Sequence, residues 1–240
     1  MMQSQDQDRP VRGREPADLL RALDQMVSDV ESLAAGHRPF AELFDRNGLP
    51  PLWRREASFA TLVRFVLEQQ VSLASANAAF QRLEDRLSGV TPEGVLGSTD
   101  AEMKTDGFSR QKTEYVRGIA ALIVSGEFDP ADLPNDQGVV RERLLEIRGV
   151  GPWTASCYLL FVCGDRDTWP TGDRALHLSI ATNLHLAEVP NRERADRIAA
   201  EWAPWRSTAA RMLWHDYLGG PSYVATSGAG FIGGTGKVPL

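Results

Sequence analysis

The sequence predicts an all-α protein, on three observations. Apolar residues recur at three- and four-residue spacing through most of its 240 residues, which is the period of an amphipathic helix. No segment shows the strict apolar–polar alternation of a half-buried strand. The strongest turn signal, Gly149-Val150-Gly151-Pro152, stands between two apolar helical runs. Neither a sequence repeat nor an interdomain linker interrupts the pattern.

Taken in order, residues 1–15 are polar and aperiodic and read as a flexible tail. From Pro16, the positions Leu19, Leu23, Met26, Val27, Val30 and Leu33 form one helical stripe that Gly36 closes. A short helix covers Phe40 to Phe44, before the turn-rich Asn47-Gly48-Leu49-Pro50-Pro51. Phe59, Leu62, Val63, Val66 and Leu67 mark a core helix that runs into Glu68-Gln69-Gln70-Val71-Ser72. The next passes through Ala76, Ala79, Phe80, Leu83 and Leu87. Thr91-Pro92 has the form of an N-cap followed by a first-turn proline. Tyr115, Ile119, Leu122 and Ile123 lie on a helix from Arg110 to Val124, whose first turns carry Arg110, Lys112 and Arg117 against Glu114. Asn135 or Asp136 caps the helix leading to Ile147. Helices near Ala175 to Leu184, Arg192 to Trp202 and Ser207 to Leu218 complete the helical part, 16–218, and residues 219–240 read as a loose Gly/Ser/Thr-rich tail.

Composition narrows the classes of function. Apolar residues make up 42% and charged residues 24%, as in ordinary soluble proteins. No apolar run approaches the roughly 20 residues of a membrane span, and the start MMQSQDQDRP has no signal core. A cytoplasmic setting without a membrane partner is expected. The two cysteines, Cys157 and Cys163, sit six apart on one apolar helix and read as small core residues. The net charge of −6 is the wrong sign for a nucleic-acid binder, since nonspecific affinity comes from phosphate neutralisation. Any DNA contact then rests on a local patch and on backbone dipoles.

The chemistry concentrates between Leu144 and Asp173. Two glycines one residue apart permit positive φ and leave the backbone bare, and Pro152 sits where a helix tolerates it. The next amides point out of the turn with the positive end of the helix dipole behind them, an arrangement that binds anions. A loop carrying Asp165 and Asp167 ends at Asp173. Alone, the glycine turn is equally a plain helix connection, and Asp173 equally an N-cap for the helix at Ala175.

The motifs together resemble the helix-hairpin-helix (HhH-GPD) DNA glycosylase superfamily, in its DNA-3-methyladenine glycosylase II branch. Ile147-Arg148-Gly149-Val150-Gly151-Pro152-Trp153-Thr154-Ala155 is similar to its hairpin, Glu68 to Ala76 to its QQ-V/I-S junction, and Gly107-Phe108-Ser109 with Lys112 and Tyr115 to its G-x-S-x-x-K-x-x-Y segment. Asp167-Thr168-Trp169-Pro170-Thr171-Gly172-Asp173 is similar to its D-x-x-P-x-x-D loop, and Trp205-Arg206-Ser207 with Ala209 and Trp214 to its late W/Y-R-S-x-A segment. The resemblance spans residues 55–218.

It implies two helical subdomains flanking a cleft, with the hairpin (144–163) at their junction and a catalytic loop at 164–173. It implies a monofunctional enzyme that excises alkylated bases from damaged double-stranded DNA in base excision repair, acting as a monomer. Asp173 is then the catalytic carboxylate. Trp153, Trp214 and Cys157 line the base pocket, Cys157 standing where some relatives have tyrosine. Gly149, Val150, Gly151 and Thr154 hold DNA phosphate, with a Na or K ion on the carbonyls of Leu145, Ile147 and Val150. Gln70 beside Ser72 either fills the gap left by the flipped base or caps the helix junction. Relatives that also cut the strand use a lysine of the second hairpin helix, and none lies between Leu144 and Asp173. The iron–sulfur branch needs four clustered cysteines, so no cofactor is expected. A glycosylase for a neutral lesion or mismatch and a noncatalytic hairpin DNA-binding protein are the rival readings. Asp165 and Asp167 read as turn or cap residues.

Overall fold

The computed structural model describes residues 16–221. The tail expected at 1–15 and residues 222–240 of the one expected at 219–240 lie outside the described residues. Among the described residues there is no strand. The helices are α1 (Pro16–Gly36), α2 (Arg38–Asn47), α3 (Phe59–Glu68), α4 (Leu73–Leu87), α5 (Pro92–Gly97), α6 (Asp100–Asp106), α7 (Arg110–Val124), α8 (Gln137–Glu146), α9 (Pro152–Tyr158), α10 (Arg174–Asn183), α11 (Arg192–Ala200) and α12 (Arg206–Tyr217). None is long and apolar enough to cross a membrane.

Side-chain caps fix most of the starts. Ser58, Ser72, Thr91, Ser109, Asp136 and Asn191 each accept a first-turn amide of the helix that follows, which satisfies a donor that has no intrahelical partner. Three expectations change. Helix α2 is longer than Phe40 to Phe44, because Pro39 suits its first turn and Gly48, at φ 69°, ends it. Helix α6 was not anticipated: at seven residues it is too short for periodicity, though Thr99 and Glu102 form a full capping box. The second hairpin helix widens to a π-helical turn over Leu159–Cys163 rather than continuing regularly.

The helices pack in two groups. One gathers α1, α2, α10 and α12 with α11 against α10, and the other builds on α3 with α4 and α7, α5 and α6 joining at the edge. Helix α9 packs on α3 and α8. Phe161, in the π-helical turn, stacks on Phe65 of α3 at 6.3 Å and on Trp214 of α12 at 5.4 Å between ring centroids, joining the groups. All three rings are fully buried, each contributing about 1.5–3 kcal/mol by leaving water. The hairpin and the loop to Asp173 thus lie where the two groups meet.

Candidate active site

The loop after the π-helical turn is fastened at several points before it reaches Asp173. Asp165 accepts the Asp167 amide at 2.8 Å and the Thr168 hydroxyl at 3.1 Å, closing its own turn. Asp167 takes a two-pronged contact from Arg206, both prongs at 2.8 Å, a geometry that fixes direction as well as distance. The Ser207 hydroxyl accepts the Thr168 amide and donates to the Thr168 carbonyl. Farther on, Asp196 accepts from the Trp169 indole and the Thr171 hydroxyl. Both rival acids are structural, as a turn residue and an ion-pair partner. The late Trp-Arg-Ser segment is the clamp on this loop.

Asp173 ends the loop and begins α10. It is 4% exposed. Oδ1 accepts the Leu176 amide at 2.8 Å, the expected cap, and the Trp214 indole N–H at 3.3 Å. Oδ2 accepts the Trp153 indole N–H at 3.0 Å. Burial pushes this carboxyl above the ordinary aspartate range, against the pull of the Leu176, Trp153, Trp214 and Ala175 donors. Asp173 is therefore the N-cap of α10 through Oδ1, and Oδ2 is the less engaged oxygen.

The other residues expected to line a base pocket take unequal places. Trp153 is half-buried and reaches Asp173 from the first turn of α9. Trp214 is fully buried, one face against Phe161. Cys157 is also fully buried, and burial holds its thiol well above the usual range, reinforced by the nearby charges of Asp173 and Glu68. It is a neutral thiol. Glu68, 4% exposed, lies 3.4 Å from Arg55, and burial raises its carboxyl to about 7.

In the hairpin, Gly149 has φ 94°, and a Cβ built there collides with the Tyr115 ring. Only glycine fits on both counts. Gly151 precedes α9 with no side-chain cap and Pro152 follows it, so the amides of the first turn stay unused within the helix. The Gln69 side chain donates to the Gly149 carbonyl at 2.9 Å and to the Thr154 hydroxyl at 3.0 Å, tying the α3–α4 junction to the hairpin. Thr154 is 2% exposed, with its hydroxyl taken by Gln69. Of the carbonyls assigned to a cation, that of Ile147 accepts the Val150 amide at 3.0 Å.

Gln70 stands beside this tie, exposed and left-handed at φ 57°, a conformation costing about 1 kcal/mol or more for a non-glycine residue. Ser72 alone caps α4, accepting the Ser75 amide. Sequence reasoning quoted Gln69, Lys112 and Tyr115 as parts of motifs and gave them no task. Lys112 Nζ donates to the carbonyls of Leu67 at 2.6 Å and Gln69 at 2.9 Å, closing the end of α3, and Tyr115 packs on Gly149. The motif spacing was the only available signal for these contacts, since each joins segments far apart in the chain.

Comparison with known proteins follows the same lines. Residues 63–204 match the family model described as HhH-GPD superfamily base excision DNA repair protein. DNA-3-methyladenine glycosylase 1 of Schizosaccharomyces pombe is 26% identical over 202 residues, covering 81% of this chain and 83% of that protein. A DNA-3-methyladenine glycosylase of Bacillus subtilis is 28% identical over 180 residues, covering 70% of this chain. The chain spans less than two thirds of two B. subtilis relatives, 63% of one and 57% of the other. Among solved structures, the S. pombe 3-methyladenine DNA glycosylase in complex with abasic DNA superposes with a TM-score of 0.68 at 25% identity, over 78% of this chain and 95% of that one.

Proposed function

The chain belongs to the HhH-GPD superfamily of base excision DNA repair proteins, and from that premise we propose that it is a monofunctional DNA glycosylase releasing alkylated bases of the 3-methyladenine type. One observation carries the reading: a buried carboxylate, Asp173, gripped by two indoles and a helix amide directly behind a glycine hairpin.

The N-glycosidic bond breaks with its electron pair passing to the base, which in an alkylated purine neutralises a positive ring. Charge moves to the sugar. The Asp173 carboxylate, fixed in a water-poor setting, stabilises that charge or orients the incoming water. Water adds at C1′ and releases a proton. A cationic base is already a good leaving group, so no general acid is needed. No lysine lies between Leu144 and Asp173, which leaves the hairpin without an amine for a Schiff base, and the strand stays intact.

The substrate base leaves the stack to be read. Trp153, half-buried beside the carboxylate, favours a cationic ring through its electron-rich face, with Cys157 and Trp214 behind it. Gln70, free of side-chain hydrogen bonds among the described residues, fills the vacated space. Gly149, Val150, Gly151 and the Trp153 and Thr154 amides hold the backbone phosphate. A Na or K ion suits the oxygen donors of Leu145, Ile147 and Val150, where the Ile147 carbonyl keeps a second lone pair, and would add positive charge next to that phosphate. The protein works as a monomer in the cytoplasm, on double-stranded DNA.

Asp173→Asn tests the reading. Asparagine keeps the helix cap and removes the charge. Base release from methylated duplex DNA should fall about a thousandfold with DNA binding retained. Release at the parental rate sinks the assignment. Product strands should break only after alkali, and a defined-lesion panel in which neutral bases leave faster than cationic ones would favour the neutral-lesion enzyme.

A further inference from the structure

A cavity of about 160 Å3 opens between α1, the start of the loop after the π-helical turn, and the first turns of α12. Asp173 is not among its lining residues. Three arginines do line it, Arg54, Arg166 and Arg211, with two carboxylates, Asp29 and Asp165.

Both carboxylates are already committed. Asp29, 2% exposed, accepts from Gln25, Arg166 and Thr208. Asp165 closes its own turn. Arg166 is thereby balanced by Asp29, and the other two arginines are not. Arg211 is 6% exposed, its Nη2 donates to the Leu160 carbonyl at 3.0 Å, and its buried Nη1 has no partner. Arg54 has no carboxylate partner among the described residues, and it lies close enough to act on Arg211. Burial and the Arg54 charge lower the Arg211 guanidinium to about 9, so it remains cationic at neutral pH. A buried cation served by one neutral carbonyl and the Phe161 ring, 5.3 Å from its guanidinium carbon, beside a second cation, lacks the counter-charge that burial normally demands.

We propose that this cavity binds a single tetrahedral oxyanion of the phosphate type, clasped by Arg54 and Arg211. Its volume is enough for one phosphate group together with water. The phosphate is either free or part of a DNA backbone, and the two sources are separable. The site is independent of the glycosylase reading, because occupancy requires no base release.

The first arm follows thermal unfolding of the DNA-free full chain while phosphate replaces chloride at constant ionic strength. The Tm should rise by about 3 °C at tenfold the phosphate Kd. Arg54→Met, at the less buried position, should abolish the rise with the fold intact, and Arg211→Met should do the same. The second arm measures DNA affinity against salt. If Arg54→Met lowers the log–log slope by about one, the phosphate belongs to the DNA backbone. An unchanged slope with the Tm rise lost in the variant identifies free phosphate. A Tm rise that survives both substitutions, or no rise together with an unchanged slope, overturns the proposal.

Discussion

The Trp214 indole donates to the Asp173 carboxylate across 3.3 Å, from a position 41 residues farther along the chain. Its ring is fully buried against Phe161. The geometry makes it a support for the acid at least as much as a wall for a base. Trp214→Phe keeps the stack and removes the donor. A donor to the charged form holds a carboxyl down, so its loss moves Asp173 further up from an already raised value. Base release requires the ionised form and is lost as pH falls through that pKa. The acidic limb of the single-turnover rate profile should therefore shift to higher pH, with release reduced most at the acidic end of the profile. A limb that stays in place refutes the supporting role.

Glu68 should make stability depend on pH. Its folded carboxyl titrates at about 7, against an ordinary value of 4.5, because burial disfavours the charge. The folded state holds this proton more tightly than the unfolded chain. The stability it contributes is complete below about 4.5 and is lost as pH rises to about 7. Glu68→Gln removes that dependence. The unfolding free energy of the variant relative to the parent should grow by up to roughly 3 kcal/mol between pH 4.5 and 8. Urea titrations that run parallel across this range would contradict the buried charge.

Gly149→Ala should fail twice over. The position has φ 94°, and the added methyl meets the Tyr115 ring. A cost of about 2–4 kcal/mol is expected, visible as a lower denaturation midpoint, together with weaker DNA binding as the turn moves. Pairing it with Tyr115→Ala should recover the steric part alone. No recovery in the double variant would show that Tyr115 is not the obstacle.

Arg206→Met removes both prongs on Asp167 and loosens the loop that carries Asp173. The pair is one-third exposed on each side, so the stability loss should be small, about 1 kcal/mol. The larger effect should fall on the rate of base release, with DNA affinity held. Equal losses in affinity and rate would mean that the clamp acts on binding instead.

Much of the fold was legible in sequence because its determinants are local. Apolar spacing placed α1, α3, α4 and α7, the Thr91-Pro92 cap fixed a helix start, and the cap of α8 was narrowed to Asn135 or Asp136, of which the structure uses Asp136. Helix α6, short and marked only by its Thr99 box, was missed, and so was the π-helical turn, whose residues are apolar throughout and carry no phase.

The sequence by itself determined the order of the helices other than α6, the glycine turn with its free amides, the acid at the end of the loop, and the lack of a hairpin lysine. All of these depend on residues within a turn or two of one another. Only the tertiary structure decided that Asp173 shares its oxygens between a helix amide and two indoles, and that Gln69 ties the Gln70 junction to the hairpin while Lys112 ties it to α7. It also decided that Trp214 is buried against Phe161 and that Arg54 and Arg211 line one cavity with neither paired to a carboxylate. Those relationships join segments dozens of residues apart, where periodicity says which face is buried and nothing about what lies against it.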